Sequence, residues 1–348
     1  MSRRLSTMLL IIGAILALPG VATVAAADKI VIRLATLAPA GSTWDKVFKA
    51  WNVQLDKETG GEMGFQFFSG GVAGDEKDVI RKMKLGQLDA GGFTTVGLSS
   101  IARPLSLLTT PGIIDGYAHL NKVRDELAPD LEAIFDEAGY SLLGWGDAGF
   151  GRVMSKKRPI LMPEDYKAVR PWVPKDEAAF PEFMKIVGAN GVPAGIPEVF
   201  PALQTGMIDT VMVSAIAAVA LQWFRNVDYV AKEAQVPIVG ATLLRKNVFD
   251  SLDSIPKDKR AELEKKLNET GKKAHSLLLK KIESEDNEAY KALTTKLGLK
   301  EFSMAETKQQ QDAWSKAATE LRKRLTDKLW KKSFYEKTMK AAGKPVEF

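Results

Sequence analysis

Histidine, the side chain most often used for acid–base catalysis near neutral pH, occurs only as His119 and His275. His275 falls in a long charged segment, where we expect a solvated surface side chain, and His119 follows a Gly-Tyr turn with no neighbouring motif. The sequence contains no cysteine, which removes disulfides and thiolate metal ligands. These residue types therefore indicate neither a metal site nor a general base.

Acidic and glycine-rich segments fit structural roles. The pairs Asp75/Glu76 and Glu164/Asp165 open predicted helices, where capping and the helix dipole account for acidic side chains. The glycine-rich run at 70–74 lacks the lysine and hydroxyl of a phosphate-binding loop, and no Gly-x-Ser-x-Gly motif occurs. We therefore expect a protein that is not an enzyme and that uses no cofactor or metal.

Large aromatic side chains fall near the ends of predicted strands. They are Trp44, Trp145, Phe150, Trp172 and Trp223. Each one alone is explained most simply by burial in a core. As a group, placed where open α/β sheets bind ligands, they predict a shared cleft. The apolar segment 215–221 is too short to cross a membrane and is either a core helix or a wall of that cleft.

The first 27 residues have the pattern of a secretory signal peptide. Arg3 and Arg4 precede an apolar run at 8–19, and small residues follow up to Ala27, after which we expect cleavage. The arginine pair also suggests a twin-arginine signal, but the residues after it fit that motif poorly. Either route predicts a periplasmic protein. Without the signal the formal charge falls from +6 to +4, spread along the chain, which argues against nucleic acid as a partner.

Alternating strand and helix patterns predict an α/β fold. About 320 mature residues exceed the usual size of one core, so we expect two lobes. Residues 256–298 keep a helical apolar spacing, through Leu263, Leu267, Leu277, Leu278, Ile282 and Leu293. A continuous helix there would reach roughly 60 Å, enough to bridge both lobes. The predicted divisions are lobe I at 28–150 plus 236–255, lobe II at 151–235 plus 299–348, and the bridging helix at 256–298.

Four blocks in the same order resemble the DctP-type solute-binding proteins of TRAP transporters. They lie at 68–89, which begins Phe68-Ser-Gly-Gly-Val-Ala-Gly-Asp, at 151–160, at 162–167, and at 198–209. The resemblance implies a two-lobe periplasmic binding protein fold with a cleft between the lobes and a long helix bridging both. It also implies hinge closure on a small ligand and delivery to the TRAP membrane subunits.

The chain departs from this family at two positions that would contact the ligand. An arginine that typically holds a carboxylate in the family aligns with Trp172, and an asparagine aligns with Val213. Arg152 matches an arginine that some members have near the site, and Arg170 lies two residues before Trp172. Because two polar contacts become apolar, we expect a hydrophobic ligand, as proposed for the TRAP-like proteins with tetratricopeptide-repeat partners (TPAT systems).

The leading hypothesis is therefore a solute-binding protein whose cleft contains nine residues, with Arg152 as the best remaining contact for an anion. These residues are Trp44, Thr94, Trp145, Phe150, Arg152, Arg170, Trp172, Val213 and Trp223. One alternative is a conventional carboxylate binder that uses Arg152 or Arg170. Another is a sensor or interaction protein on the same scaffold.

Overall fold

A computed structural model describes residues 29–347 of the chain. The predicted signal peptide at 1–27 and the expected mature start at Asp28 lie outside the described residues. Within the described part, strands and helices alternate as predicted.

The strands are β1 (Ile30–Thr36), β2 (Met63–Phe68), β3 (Ala90–Phe93), β4 (Tyr140–Trp145), β5 (Phe150–Ser155), β6 (Trp172–Pro174), β7 (Val192–Ala194), β8 (Thr210–Ser214), β9 (Tyr229–Ala231), β10 (Val236–Pro237), β11 (Ala241–Arg245) and β12 (Lys300–Phe302). The α-helices are α1 (Thr43–Glu58), α2 (Glu76–Lys84), α3 (Thr95–Ile101), α4 (Tyr117–Glu126), α5 (Ala128–Glu137), α6 (Ala179–Val187), α7 (Ile196–Thr205), α8 (Ala215–Ala220), α9 (Lys257–Thr295), α10 (Lys308–Leu325) and α11 (Lys332–Ala341). Short 3₁₀ helices lie at Arg103–Thr109, Pro163–Ala168, Trp223–Asn226 and Lys246–Val248.

The first sheet has the strand order β2-β1-β3-β11-β4. Strand β1 runs parallel to β2 and β3, whereas β11 is antiparallel to β3 and β4. Ile32 and Leu34 of β1 are fully buried, as expected for a central strand covered on its faces. The carboxyl ends of β1 and β3 therefore lie side by side at one edge of the sheet.

The second sheet has the order β10-β5-β9-β12, and β8 pairs with the same strand β5. Strands β10, β8 and β9 are antiparallel to β5, and β12 is parallel to β9. Strands β6 and β7 form a separate parallel pair beside it. The two sheets form the bases of two lobes.

The chain crosses between the sheets at places that differ from the predicted divisions. Val236–Pro237 pairs with β5 in the second sheet, so the return to the first sheet begins only at Ala241–Arg245. Helix α10 packs on α6 in the second lobe, as predicted, but α11 packs on α4 and on the Arg103–Thr109 helix. The C-terminal helix therefore contacts the first lobe, and the exact lobe boundaries remain a prediction.

Helix α9 covers 39 residues, and at 1.5 Å per residue it is about 58 Å long. Leu263, Leu267, Leu278 and Ile282 belong to the apolar cluster of the first lobe. Leu293 belongs to the cluster formed by the second lobe, so the helix bridges both. The predicted apolar face was wrong at Leu277, which is 48% exposed.

Asp286 on α9 connects the segments that meet where the lobes join. Its carboxylate accepts hydrogen bonds from the Tyr117 hydroxyl at 2.9 Å, the Phe150 N–H at 3.1 Å and the Ile216 N–H at 3.0 Å. These donors come from α4, the start of β5 and the first turn of α8. The bridging helix is thus held to both lobes by one buried carboxylate.

His275, expected at the surface of α9, is instead buried with 2% of its area exposed. Its Nε2 lies 2.7 Å from the Thr242 hydroxyl of β11, and its Nδ1 lies 2.8 Å from the Gly271 carbonyl. The expectation failed because α9 packs flat on the first sheet beside β4, and local sequence polarity does not show which face of a helix will be covered. Burial lowers the pKa of His275 to about 4.

Candidate functional site

A cavity of about 230 Å³ lies between the lobes. Its first-lobe wall is formed at the carboxyl ends of β1 and β3, where open α/β sheets bind their ligands. Thr36, Phe93 and Thr94 line it from these strand ends, and Trp44 and Phe48 line it from the start of α1. Ser42 caps α1 by accepting a hydrogen bond from the Asp45 N–H, which fixes where that helix and its aromatic residues begin.

The second-lobe wall is almost entirely apolar. Trp172 of β6, Met212 and Val213 of β8, and Trp223 line it next to the sheet. Helix α8 contributes the apolar side chains of Ala217 and Ala220, and Leu221 follows directly after the helix. The segment 215–221 therefore serves both expected roles, because Ala215 and Ala218 are buried in the core while other residues of the segment line the cavity.

The indole rings in the cavity wall are fixed by packing and by hydrogen bonds to the backbone. Trp44 Nε1 donates to the Asp147 carbonyl at 3.1 Å, and Trp172 Nε1 donates to the Ala194 carbonyl at 2.9 Å. The Trp172 and Trp223 rings meet edge to face with centroids 5.3 Å apart. Since their polar edges are engaged, Trp44 and Trp172 can offer only apolar contact to a ligand.

Two carboxylates line the cavity, Glu76 in the first lobe and Glu177 in the second. Glu76 accepts hydrogen bonds from the Thr94 N–H, the Thr94 hydroxyl and the Gly97 N–H, and Glu177 accepts from the Ala179 and Phe180 N–H groups. Burial raises the pKa of Glu76 to about 7 and also raises the pKa of Glu177. Both groups hold helix ends in place, and neither presents a donor to an anion unless it is protonated.

Three uncharged polar groups in the cavity wall make no hydrogen bond to any other residue of the described range 29–347. They are the Tyr166 hydroxyl, the Trp223 indole N–H and the Gln235 side-chain amide. A few unengaged polar groups in an otherwise apolar wall are typical of small-molecule sites, where they fix the orientation of the ligand.

Within the described residues, no lysine, arginine or histidine side chain lines the cavity. The Arg152 guanidinium lies 3.9 Å from the centroid of the Tyr290 ring and donates to the Lys232 carbonyl. Arg170 pairs with Asp209 at 3.3 Å. Both predicted anion contacts are therefore placed outside the cavity lining, each against its own partner.

Two of the predicted aromatic residues also lie outside the cavity lining. Trp145 packs on Phe135, with the Arg124 guanidinium 5.1 Å from its ring centroid. Phe150 is buried against Tyr117, with ring centroids 4.7 Å apart. The remaining predicted residues line the cavity, namely Trp44, Thr94, Trp172, Val213 and Trp223.

Several lining residues were missed by the sequence analysis. Tyr166, Phe183 and Trp314 come from the Pro163–Ala168 helix, α6 and α10, and their rings pack on one another at centroid distances of 6.1–6.3 Å. Gln235 lies just before β10, at the chain crossing. No local motif marks these positions, since three of them lie on elements that meet only through tertiary packing.

Across residues 29–347 the structure contains no group of three or more histidine, cysteine, aspartate or glutamate residues that could hold a metal ion. None of the helices described is both long enough and apolar enough to span a membrane. The site is thus a mainly apolar cavity between two α/β lobes. A cavity between two such lobes is the arrangement of two-lobe binding proteins.

The family follows from the sequence. A family model described as DctP, bacterial extracellular solute-binding protein, family 7, matches residues 34–328, and the chain belongs to this family. Its members are solute-binding proteins of transporters, which confirms the expectation of a binding protein and not an enzyme at the level of the family.

Curated relatives match parts of the chain. The 2,3-diketo-L-gulonate-binding periplasmic protein of Escherichia coli is 29% identical over 168 residues, which cover 46% of this chain and 49% of that protein. A solute-binding protein of Verminephrobacter eiseniae is 27% identical over 160 residues, covering 45% and 47% of the two chains. The chain thus matches about half the length of these curated relatives.

Solved structures share the fold over nearly their whole length. A TRAP periplasmic solute-binding protein of Xanthobacter autotrophicus Py2 with bound galacturonate has a TM-score of 0.78 at 20% identity, covering 90% of this chain and 100% of that one. A TRAP protein of Shewanella oneidensis with bound succinate has a TM-score of 0.80 at 15% identity, covering 90% and 99%. The predicted two-lobe α/β fold is therefore confirmed.

Proposed function

We propose that this protein is the periplasmic solute-binding component of a TRAP-type transporter and that its ligand is apolar or amphipathic. The ligand would be captured between the lobes by hinge closure and delivered to the membrane subunits. The chain would reach the periplasm through the predicted signal peptide. A tetratricopeptide-repeat partner remains a prediction from the sequence resemblance.

The observation that carries the proposed ligand class is the chemistry of the cavity wall. Its side chains are mainly aromatic and aliphatic, and no cationic group lies among them. Moving a carboxylate from water into such a site without a charged partner or strong donors costs several kcal/mol. An apolar ligand has no such cost, and each Å² of apolar surface that it buries contributes about 25 cal/mol.

The unengaged polar groups suggest how such a ligand would be oriented. Tyr166, Trp223 and Gln235 offer a hydroxyl, an N–H and an amide, all uncharged. They match a ligand with one or two uncharged polar atoms, such as an alcohol, a ketone or an amide. A purely hydrocarbon ligand would leave these groups without partners.

Carboxylate binding is the second candidate, because the structural relatives named above hold galacturonate and succinate. For this chain it would require Arg152 or Arg170 to leave its present partner and enter the cavity. The Arg152 guanidinium would lose both the Tyr290 ring and a backbone carbonyl. The apolar hypothesis needs no such rearrangement.

The deciding experiment identifies the ligand directly. Mass spectrometry of molecules extracted from purified mature protein should detect an apolar or amphipathic compound. Fluorescence titration with N-phenyl-1-naphthylamine, an uncharged apolar probe, should give saturable binding, whereas succinate and galacturonate should not displace the probe. A bound small dicarboxylate or sugar acid would contradict the proposed ligand class.

A matched pair of variants tests whether the probe occupies this cavity. Trp172→Ala removes a ring from the wall and should weaken probe binding at least about tenfold, the cost of losing roughly 1.4 kcal/mol of contact. Arg152→Gln, outside the cavity, should change it by less than about twofold. Equal effects of the two substitutions would show that the probe binds elsewhere.

A further inference from the structure

Asp75 lies at the start of α2 in the first lobe, facing the second lobe. Its Oδ1 accepts a hydrogen bond from the Glu76 N–H at 2.8 Å, so it is the N-cap of α2. This local role was expected from the sequence, where an acidic pair opens the helix. It accounts for only one of the two carboxylate oxygens.

The carboxylate of Asp75 also contacts the backbone at the start of α7 in the second lobe. The Ile196 N–H, in the first turn of α7, lies close enough to this carboxylate to stabilise its charge. A Cβ atom placed on Gly195 would lie 2.4 Å from Asp75 Oδ2, so a larger residue at this position would displace the Asp75 carboxylate. Gly195 has an ordinary extended backbone, so the crowding at this position comes from the neighbouring lobe.

We propose that Asp75 holds the two lobes closed by capping two helices at once, α2 in its own lobe and α7 across the cleft. Each helix N-terminus carries unpaired N–H groups and a partial positive charge, so a carboxylate between them is attracted to both. When the lobes separate, the α7 N-terminus loses this partner. We call Asp75, Gly195 and Ile196 the interlobe cap.

The charges around the interlobe cap show why the helix ends are needed. Glu198 already accepts the Gly195 N–H at 2.8 Å, and Asp176 lies nearby. These two acidic groups repel the Asp75 carboxylate, and burial together with this repulsion raises the pKa of Asp75. The N–H groups of α2 and α7 act against this cost, and the α7 group does so only while the lobes are in contact.

A second interlobe contact lies beside the cap. Lys77 Nζ and Asp176 Oδ1 are 2.9 Å apart, but the lysine side chain is 71% exposed. Exposed ion pairs contribute little to stability, so we do not expect this pair to be the main attraction between the lobes. Replacing both residues removes the same pair and the same Asp176 charge from every variant, so closure can be compared between variants at this place.

The test uses the absence of cysteine in the chain. Lys77→Cys with Asp176→Cys places two thiols across the interlobe edge, and the rate of their joining by a short bis-maleimide is proportional to the closed fraction. In a separate background, Val213→Cys places a thiol in the cavity wall, and its rate of labelling is proportional to the open fraction. The ratio of the two rates follows the closing equilibrium whichever state dominates.

Two substitutions are introduced into both backgrounds. Asp75→Asn weakens the attraction to both helices, and Gly195→Ala keeps the carboxylate but inserts a methyl group against it from the side of α7. Contacts between N–H groups and a charged carboxylate are stronger than neutral ones, so each substitution should lower the ratio about tenfold or more. Circular dichroism verifies that each variant is folded.

An unchanged ratio in either variant overturns the proposal. If only Asp75→Asn lowers the ratio, the effect comes from the cap of α2, and if only Gly195→Ala does, the carboxylate is not the attraction. The measurement needs no ligand. Failure of the apolar probe to bind would therefore count against the proposed ligand class and leave the interlobe cap to be judged by these rates alone.

Discussion

Two buried titratable groups should give the folding stability opposite dependences on pH. His275 is buried between α9 and the first sheet, and its pKa is lowered from 6.5 to about 4. Glu76 is buried in the cavity wall, and its pKa is raised from 4.5 to about 7 by burial, which outweighs its three hydrogen-bond donors. Between pH 4 and 7, His275 is protonated mainly in the unfolded chain, whereas Glu76 is protonated mainly in the folded chain.

The signs follow from which state binds more protons. Between pH 6.5 and 4 the unfolded chain protonates His275 and the folded chain does not, so the stability due to neutral His275 is lost as the pH falls. Between pH 4.5 and 7 the folded chain keeps Glu76 protonated and the unfolded chain does not, so stability is lost as the pH rises. One pKa unit corresponds to 1.36 kcal/mol, so each full shift is worth about 3 kcal/mol.

Urea unfolding followed by tryptophan fluorescence at pH 5 and at pH 7.5 measures both effects. The wild-type protein should show partial cancellation. When the pH is lowered from 7.5 to 5, the free energy of unfolding of His275→Gln should fall by about 2 kcal/mol less than that of the wild type. On the same change, the free energy of unfolding of Glu76→Gln should fall by about 2 kcal/mol more than that of the wild type. Each variant has a constant penalty from altered hydrogen bonds, so only the change with pH is compared.

A profile for His275→Gln that runs parallel to the wild type would refute the reasoning for the histidine, and a parallel Glu76→Gln profile would refute it for the glutamate. NMR offers an independent measurement, because the chain has only two histidines. Removing one signal with His119→Gln assigns the other, and the His275 ring signal should not titrate near pH 6.5.

Three further predictions concern stability and the cavity. Arg124→Met leaves the buried Asp147 carboxylate without its charged partner at 2.8 Å and should lower the free energy of unfolding in urea by about 3–5 kcal/mol. The double variant Arg124→Met with Asp147→Leu should recover much of this loss. A loss below about 1 kcal/mol would contradict the prediction. Asp286→Ala removes the acceptor of three donors and should lower the free energy of unfolding by about 3 kcal/mol, with Asp286→Asn less affected, whereas equal losses would show that the hydrogen bonds are not the cause. Gln235→Glu should weaken binding of N-phenyl-1-naphthylamine about tenfold at pH 8, because a carboxylate would have to lose water beside an apolar ligand. Gln235→Leu should weaken it less than about twofold. Similar affinities of the two variants would place Gln235 away from the bound probe.

Local order was largely predictable from the sequence because it depends on neighbouring residues. The helical spacing at 256–298 became α9, and the acidic residue at 75 became an N-cap. The ordered blocks also indicated the family, since its spacing reflects a shared chain path. Trp172 and Val213, singled out as departures from the family, both line the cavity.

The tertiary structure decided in which direction each side chain points and which partner it contacts. Whether Arg152 points to a ligand or to Tyr290 depends on a helix that lies more than a hundred residues later in the chain. The burial of His275 depends on which face of α9 meets β11, and Asp75 contacts Gly195 only because two lobes come together. The sequence by itself thus determined the elements, their order and the class of protein. Which groups form the cavity wall was determined by packing between distant segments, because burial and partner choice are properties of the assembled surfaces.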